Sequence, residues 1–412
     1  LGGRTQEGEW VVGGLFRSLS EEATKRGIAL LPKLNPDEKY QPFGWYNWFV
    51  HGVPLDPYAM ALFLDEKMKE AGIKVLLHTQ AVDVVMAGDR ISHIVTYNRS
   101  GMQAFPVKCV IDATGNADLA SKSGCQTVMG REEDGLTTPS SLIFHVYDVD
   151  QVKFTEYVEK ENDPKLRNLI NSLKETGEWP FPYDIFIATQ LVDKGTFFVN
   201  TSRLVGINGT NGDSISDGMM QGRLESHQLM KIFQKYIPGF ENAKIKSIAA
   251  QMGIRETRRI IGDYMLAVED LSNEKVFEDC IGFSMYGWDL PDPLKPSEQP
   301  FAHDDKGGYR FKIKKGLSTP IPYRIMVPKS VKNIICPGRA VSVERQVLGP
   351  VRVMASCMAM GEAAGMAAAQ LVLGVNSFSE VDIKKLKDLL RQNGAIVDKD
   401  ALPAIYPRLD QV

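Results

Sequence analysis

The sequence predicts an α/β (α+β mixed) protein: an open α/β layer carrying an antiparallel insert, joined to a second, mainly antiparallel domain. Two observations predict the layer. Between residues 54 and 125 the chain reads helix, strand, three short apolar segments, strand, and near its end "VKNIICPGRAVS" gives a second buried strand running into a Gly turn. A third observation predicts the other domain: from Gln126 to about Lys329, Pro, aromatic residues and mixed charges increase, with alternating stretches such as "SSLIFHVYDVD" and "GTFFVNTSRLV". The expected division is residues 1–124 as the first part of the layer, 125–329 as the second domain and 330–412 as the returning part of the layer. At 412 residues the chain exceeds what one core usually fills.

The elements follow from local signals. The opening "LGGRTQEGEW" shows no start of a recognisable element. In "LDPYAMALFLDEKMKEAGIKVLLH", Asp56 caps a helix, Pro57 suits its first position, Tyr58 to Ala71 follow a helical period and Gly72 suits a left-handed end. Ile73 to His78 reads as a strand buried on both faces. "AVDVVMA", "RISHIVTY" and "MQAFPV", separated by Gly88-Asp89 and Asn98 to Gly101, read as a β-meander. "KCVIDATGNADLASKSGC" is then a strand, a Gly-containing turn and a short helix. In the second domain "NGTNGDS" reads as a loop, and a helix is expected near "GRLESHQLMKIFQKYI". The C-terminal "EVDIKKLKDLLRQNGA" is an amphipathic helix ending at Gly394.

Composition excludes several classes of function. Lys and Arg number 48 against 51 Asp and Glu, a net charge of -3 with no basic tract, which argues against a nucleic-acid partner. The five cysteines form no Cys-x-x-Cys pair and the six histidines no metal-ligand spacing, so no disulfide framework and no metal are expected. No apolar run is long enough to span a bilayer. The absence of Cys pairs favours a cytoplasmic location. Glycoside hydrolysis or lyase chemistry would need a carboxylate pair, and none is evident.

The stretch "LGPVRVMASCMAMGEAAGMAAA", Leu348 to Ala369, holds only two charges, Arg352 and Glu362. Cys357, Gly361, Gly365 and Ala369 recur every four residues and form one small-residue stripe. Tight helix packing accounts for such a stripe, and so does a ligand lying against the helix. The free N–H groups around Ser356 to Met358 favour a ligand that carries or develops negative charge. "IDATGNADLA" and "CPGRAVS" each end an apolar strand in a Gly turn, where open α/β sheets bind ligands.

These stretches, together with "LGGRT", "MGIRETRRIIGDYML" and "IPYRIMVPKSVKNIICPGRAVS", resemble the bacterial FAD-dependent oxidoreductase family of the glutathione-reductase-like superfamily, over nearly the whole chain. The resemblance implies a Rossmann-like FAD-binding domain with a β-meander insert, plus a mainly antiparallel substrate domain. It also implies that a first strand and a G-x-G-x-x-G turn should precede Leu1, so the chain is expected to be an N-terminally truncated piece without its phosphate cradle. Carried over by position, Gly2, Gly3, Arg4 and Thr5 would lie along FAD, and Ala81 and Val82 near the adenine. Thr114, Gly115 and Asp118 would sit near the pyrophosphate, Gly338 and Arg339 near the ribityl chain, and Met358, Gly361 and Ala364 beneath the flavin pyrimidine edge. The implied activity is hydride transfer between a small organic substrate and non-covalently bound FAD. A second reading of another class is a non-catalytic fragment that keeps this fold and binds no cofactor.

A substrate carboxylate or carbonyl needs a fixed cation, and an Arg fork suits it. Arg255 in "GIRETRR" and Arg352 are the candidates, with Tyr323 as proton donor. Against this, Arg258, Arg259 and Glu256 suit an ordinary surface ion-pair cluster. "FSMYGWDLPDP", Phe283 to Pro293, reads as a pocket-lining loop or a rigid turn.

Overall fold

The computed structural model describes residues 2–5, 7–33, 52–298 and 318–403. Leu1 of the "LGGRT" match lies outside them. The first helix, α1 (Gly14–Lys25), has no capping side chain on its N-cap residue, Gly13, so no local residue signals its start. Its first two N–H groups are satisfied from far away: Gly14 N donates to Gly394 O at 3.0 Å and Leu15 N to Glu362 Oε2 at 2.9 Å. The buried carboxylate in the middle of the small-residue helix therefore caps another helix.

Helix α2 (Pro57–Glu70) starts where its sequence signals put it, with Asp56 Oδ1 accepting from Tyr58 N at 2.8 Å and Ala59 N at 3.1 Å. It is followed by Gly72 at φ +66°. The expected strand over Ile73 to His78 is not formed. Those residues are irregular and exposed, with Leu77 at 69%. An apolar run becomes a strand only where a neighbour takes up its hydrogen bonds, and none of the described residues does so here. The meander is present as β1 (Gln80–Ala87), β2 (Arg90–Asn98) and β3 (Gly101–Pro106), antiparallel in that order, with an irregularity at Val82 between Ala81 and Asp83.

Strand β4 (Val110–Ile111) leads into α3 (Asp118–Lys122) and then β5 (Thr127–Met129). The second region begins with β6 (Phe144–Tyr147). Two helices follow that the antiparallel reading did not foresee, α4 (Gln151–Glu161) and α5 (Arg167–Glu175), then β7 (Ala188–Gln190) and β8 (Phe197–Val199). The helix expected near Gly222 is longer than anticipated. As α6 (Gly212–Tyr236) it takes its N-cap, Asn211, from inside the "NGTNGDS" segment, with Asn211 Oδ1 accepting from Ser214 N at 2.8 Å. With β9 (Lys244–Ile248) the sheet closes in the antiparallel order β7-β8-β6-β9. Its core is aromatic, with Phe154, Phe186, Phe197, Phe233 and Phe240 meeting edge to face.

The chain then returns through β10 (Arg258–Ile260), which pairs with β5, and α7 (Val268–Ser272). Strands β11 (Cys280–Ser284) and β12 (Thr319–Pro322) form a hairpin-like pair. Next, β13 (Ile334–Ile335) lies parallel to β4. Short α8 (Leu348–Val351) precedes α9 (Met354–Val372), and α10 (Ile383–Gln392) closes the described chain, capped by Asp382. Residues from Leu266 to Trp288 and from Ile321 to Val327 pack into one core with α9 and α10. This is a mixed α/β fold in which a parallel strand pair, a meander and an antiparallel sheet are all present.

Candidate functional site

The parallel pair β4–β13 ends in two glycine turns, and the structure brings them together. Buried Asp112 builds the first turn: Oδ1 accepts from Thr114 N at 3.1 Å and Thr114 Oγ1 at 2.6 Å, while Oδ2 accepts from Ala120 N at 2.9 Å. Gly115, at φ +75°, leaves room for the second turn. A Cβ there would stand 2.8 Å from the Arg339 guanidinium carbon, and Arg339 Nη2 donates to Asn116 Oδ1 at 2.9 Å. Arg258 Nη1 donates to Asp118 Oδ1 at 3.0 Å, which ties β10 to the same turn. Gly338 has φ +96°, a conformation that strains any side chain, and among the described residues a Cβ on it would meet only Cys357 Sγ at 3.9 Å.

Helix α9 meets these turns with its N-terminus. Its N-cap, Val353, offers no side-chain acceptor, so the first N–H groups are uncapped. Ser356 Oγ, Arg339 Nε and Arg352 Nε are buried and have no partner among the described residues. Nothing described lies within 4 Å of a Cβ built on Gly361 or Gly365, so these positions of the stripe face open space. Ala364, fully buried, points into the core instead, and Met358 packs beside Val12 and Phe16.

The other expected positions divide. Gly2, at φ +75°, has Tyr286 Cβ 3.0 Å from where its own Cβ would be. Gly3 is small because Phe16 occupies the space beside it. Arg4 is 2% exposed under the Trp10 ring, with Nη2 donating to Gly8 O at 3.3 Å, and burial pulls its pKa down to about 10. Thr5 Oγ1 accepts from Glu9 N at 3.1 Å. Ala81 packs with Ala117 and Leu119 of the first turn and its helix.

The basic candidates separate more sharply. Arg255 Nη1 donates to Pro139 O at 2.7 Å, and Nη2 to Ser141 Oγ at 3.0 Å and Asn200 Oδ1 at 3.2 Å. Burial first, then Arg203 and Arg352, pull its pKa down to about 9, which leaves it charged at neutral pH. Arg352 Nη2 donates to Asp289 O at 2.7 Å and lies 3.4 Å from Asp289 Oδ2. The loop Phe283 to Pro293 thus reaches the site, through Asp289 and through Tyr286, whose hydroxyl donates to Asp289 Oδ2 at 2.9 Å. Tyr323 is not brought there. It is 3% exposed in the core, donates to Phe378 O at 3.0 Å, and burial raises its pKa strongly.

The surface ion-pair reading of Glu256 and Arg259 is corrected. Glu256 is 1% exposed and accepts from Arg259 Nη1 at 3.1 Å, from Arg345 Nε and Nη2 at 2.9 Å each, and from Thr138 N at 2.7 Å. Sequence reasoning missed Arg203, Tyr286 and Asp289 as neighbours of Arg255. No motif marks them, because they come from segments more than fifty residues away from it or inside an irregular loop. A cavity of about 300 Å3 between α7, β11 and α10, floored by Phe277, Phe283 and Thr319, takes in Phe283 at the start of the candidate loop but none of the other candidate residues. The five cysteines are free, no cluster among the described residues could hold a metal, and no described helix is long and apolar enough to cross a membrane.

No curated protein matches the chain. Among solved structures it is similar to p-nitrophenol 4-monooxygenase of Pseudomonas putida, at 11% identity and a TM-score of 0.37, covering 82% of this chain and 59% of that one. A myxobacterial FAD-dependent chondrochloren halogenase gives 12%, 0.42, 91% and 66%. A geranylgeranyl bacteriochlorophyll reductase-like protein of Thermoplasma acidophilum gives 10%, 0.40, 84% and 61%. The chain spans less than two thirds of the length of each. The model of the FAD dependent oxidoreductase family matches residues 2–390, nearly the whole chain, so the protein belongs to that family and FAD is its cofactor.

Proposed function

We propose that this protein is a flavin-dependent oxidoreductase in which Arg255 and Arg352 hold a small organic substrate beside non-covalently bound FAD. The observation that carries the reading is the uncapped N-terminus of α9, set between two glycine turns and directly preceded by Arg352. The residues present suit the cofactor: the buried Ser356 Oγ and Arg339 Nε lack partners, and Gly338 keeps space that a side chain would narrow. In this reading Thr114, Gly115 and Asp118 face the pyrophosphate, Gly338 and Arg339 the ribityl chain, and Gly361 the flavin edge. Gly2 to Thr5 and Ala81 to Val82 lie further along the dinucleotide, and residues 125–329 supply the substrate side.

When bound, the flavin supplies two-electron redox chemistry by taking or returning a hydride. What the chain contributes is electrostatics and position. The free N–H groups of α9 favour negative charge developing next to them. Arg255, with Nη1 anchored on the Pro139 carbonyl and Nη2 on the Ser141 and Asn200 side chains, holds a fork in a fixed direction, and Arg352 is oriented by the Asp289 carbonyl. These anchors let a carboxylate or carbonyl bind without a search over rotamers. Tyr323 spends its hydroxyl in the core, so proton movement falls to a group on the Tyr286–Asp289 side.

The test is titration of the purified chain with FAD, followed by visible absorption, then anaerobic mixing with a panel of small organic acids. Retained flavin bands that bleach with one member of the panel are expected. A chain that takes up no FAD would support the reading as a cofactor-free fold and end this one.

A further inference from the structure

Beyond Arg255 and Arg352, a third guanidinium stands in the same cluster. Arg203, at 7% exposure, donates through Nη1 to the carbonyls of Asn200, Thr201 and Ser202 at 2.7, 3.4 and 2.9 Å. Asn200 ties two of these arginines together, since its carbonyl holds Arg203 and its side-chain oxygen holds Arg255. Arg352 is held by the Asp289 backbone, and its side chain is 10% exposed with Nε buried and unpartnered among the described residues. Nearly all the anchors are therefore neutral oxygens. They fix the direction of each guanidinium without cancelling its charge.

Among the described residues one carboxylate, Asp289, faces the three arginines. Burial pushes its pKa up, but Arg352, Arg255, the Tyr286 hydroxyl and Arg203 outweigh this and hold it below the usual carboxylate range. Among the described residues the neighbouring titratable groups do not restore balance. Lys165 adds positive charge near Asp289, and Glu225, on the far side of Tyr183, is pushed toward its neutral form by burial. Holding cations in a half-buried cluster costs free energy that a bound anion offsets. Asp289 keeps 34% of its side chain exposed, so solvent reaches the edge of the cluster. The cluster adjoins the position proposed above for the flavin: Tyr286 stands against Gly2, and Arg352 immediately precedes the N-cap of α9.

We propose that Arg203, Arg255 and Arg352 form the binding site for a small dicarboxylate substrate, whose two carboxylates suit a cluster in which, among the described residues, cations outnumber carboxylates. The proposal rests on the reading above for the reaction, but not for the binding. Guanidinium forks pair with carboxylates in two-point contacts, which favours this class over an inorganic point charge.

Calorimetric titration of the FAD-loaded chain with succinate, propionate and succinamide tests it, with no variant needed. Succinate should bind at least about tenfold more tightly than propionate, weaken with added salt, and bind far better than the uncharged diamide. Arg255→Gln and Arg352→Gln should each weaken succinate by at least about tenfold, with Arg255→Lys intermediate, while the visible flavin spectrum is kept. Equal affinity for succinate and propionate, tighter binding of sulfate, or no binding by any acid with the flavin bands intact would overturn the dicarboxylate site. If the chain holds no FAD, the oxidoreductase reading fails, and the same titration on the flavin-free chain still decides this one.

Discussion

Arg255 and Glu256 are adjacent in sequence yet belong to two charge networks built on opposite principles. Around Glu256 the charges close on one another: Arg259 and Arg345 donate to its carboxylate, and Arg131 pairs with Asp134 and Asp292. Three arginines meet three carboxylates there. Around Arg255, three arginines share Asp289 among the described residues, and carbonyl oxygens do most of the holding. A closed network braces the fold because no charge is left to attract anything. An open one keeps an uncancelled field, and that is what a binding site needs.

The largest expected effect breaks the closed network. Glu256→Ala strands two buried guanidinium groups and should cost about 3–5 kcal/mol of stability, read from urea unfolding, while whatever remains folded binds FAD and succinate as before. A cost below about 1 kcal/mol would mean that Glu256 is not the brace. Asp289→Asn acts on the open network and should cost less, about 1–2 kcal/mol in ligand-free protein, because Asp289 is partly exposed and solvent screens it. Succinate should recover that loss by mass action. Since the folded pKa of Asp289 is depressed, its contribution is present above the unfolded value and is lost as pH falls through the folded one. The stability gap between wild type and Asp289→Asn should therefore shrink only in acid, below the usual carboxylate range, and a gap unchanged there would contradict the ion pairing.

How much of this was legible depended on whether the cause lay nearby in the chain. Asp56-Pro57 announces α2, and alternation with Gly-Asp and Asn-Arg-Ser-Gly punctuation announces the meander, because caps and turns are local chemistry. Helix α1 was silent, since its capping carboxylate is Glu362, 347 residues away. Ile73 to Leu77 looked like a strand, but strand formation is a property of pairs. At the site, the two glycine turns, Arg255 and Arg352 could be singled out by residue type. Arg203 and Asp289 could not, because only the fold brings the segment after β8 and the Phe283–Pro293 loop, which lies against Gly349 of α8, to Arg255.

A smaller effect sharpens the contrast between brace and site. Gly338→Ala forces a side chain into φ +96°, at a cost of about 1–2 kcal/mol. Among the described residues the new methyl group meets only Cys357 Sγ, so the fold should survive. FAD affinity should fall further than stability does, because the methyl projects into space kept clear beside α9. Loss of stability with FAD affinity unchanged would remove Gly338 from the cofactor reading.

Glu362 is a third case, a single buried carboxylate answered by one backbone N–H rather than by a cation. Burial raises its pKa, with the Leu15 N–H pulling only partly the other way. A carboxyl whose folded pKa is raised favours folding while protonated, and that contribution fades as pH climbs through the folded value. Glu362→Gln keeps an acceptor for Leu15 N and carries no charge at any pH. The variant should match wild type in mild acid and melt about 1–2 °C higher near neutrality, a gap that opens with rising pH. A gap of the opposite sign would mean that the ionised carboxylate earns its place by interacting with the positive end of the α1 dipole. The N-terminus of that helix would then resemble the closed network, with charge meeting charge, more than the neutral anchors around Arg255.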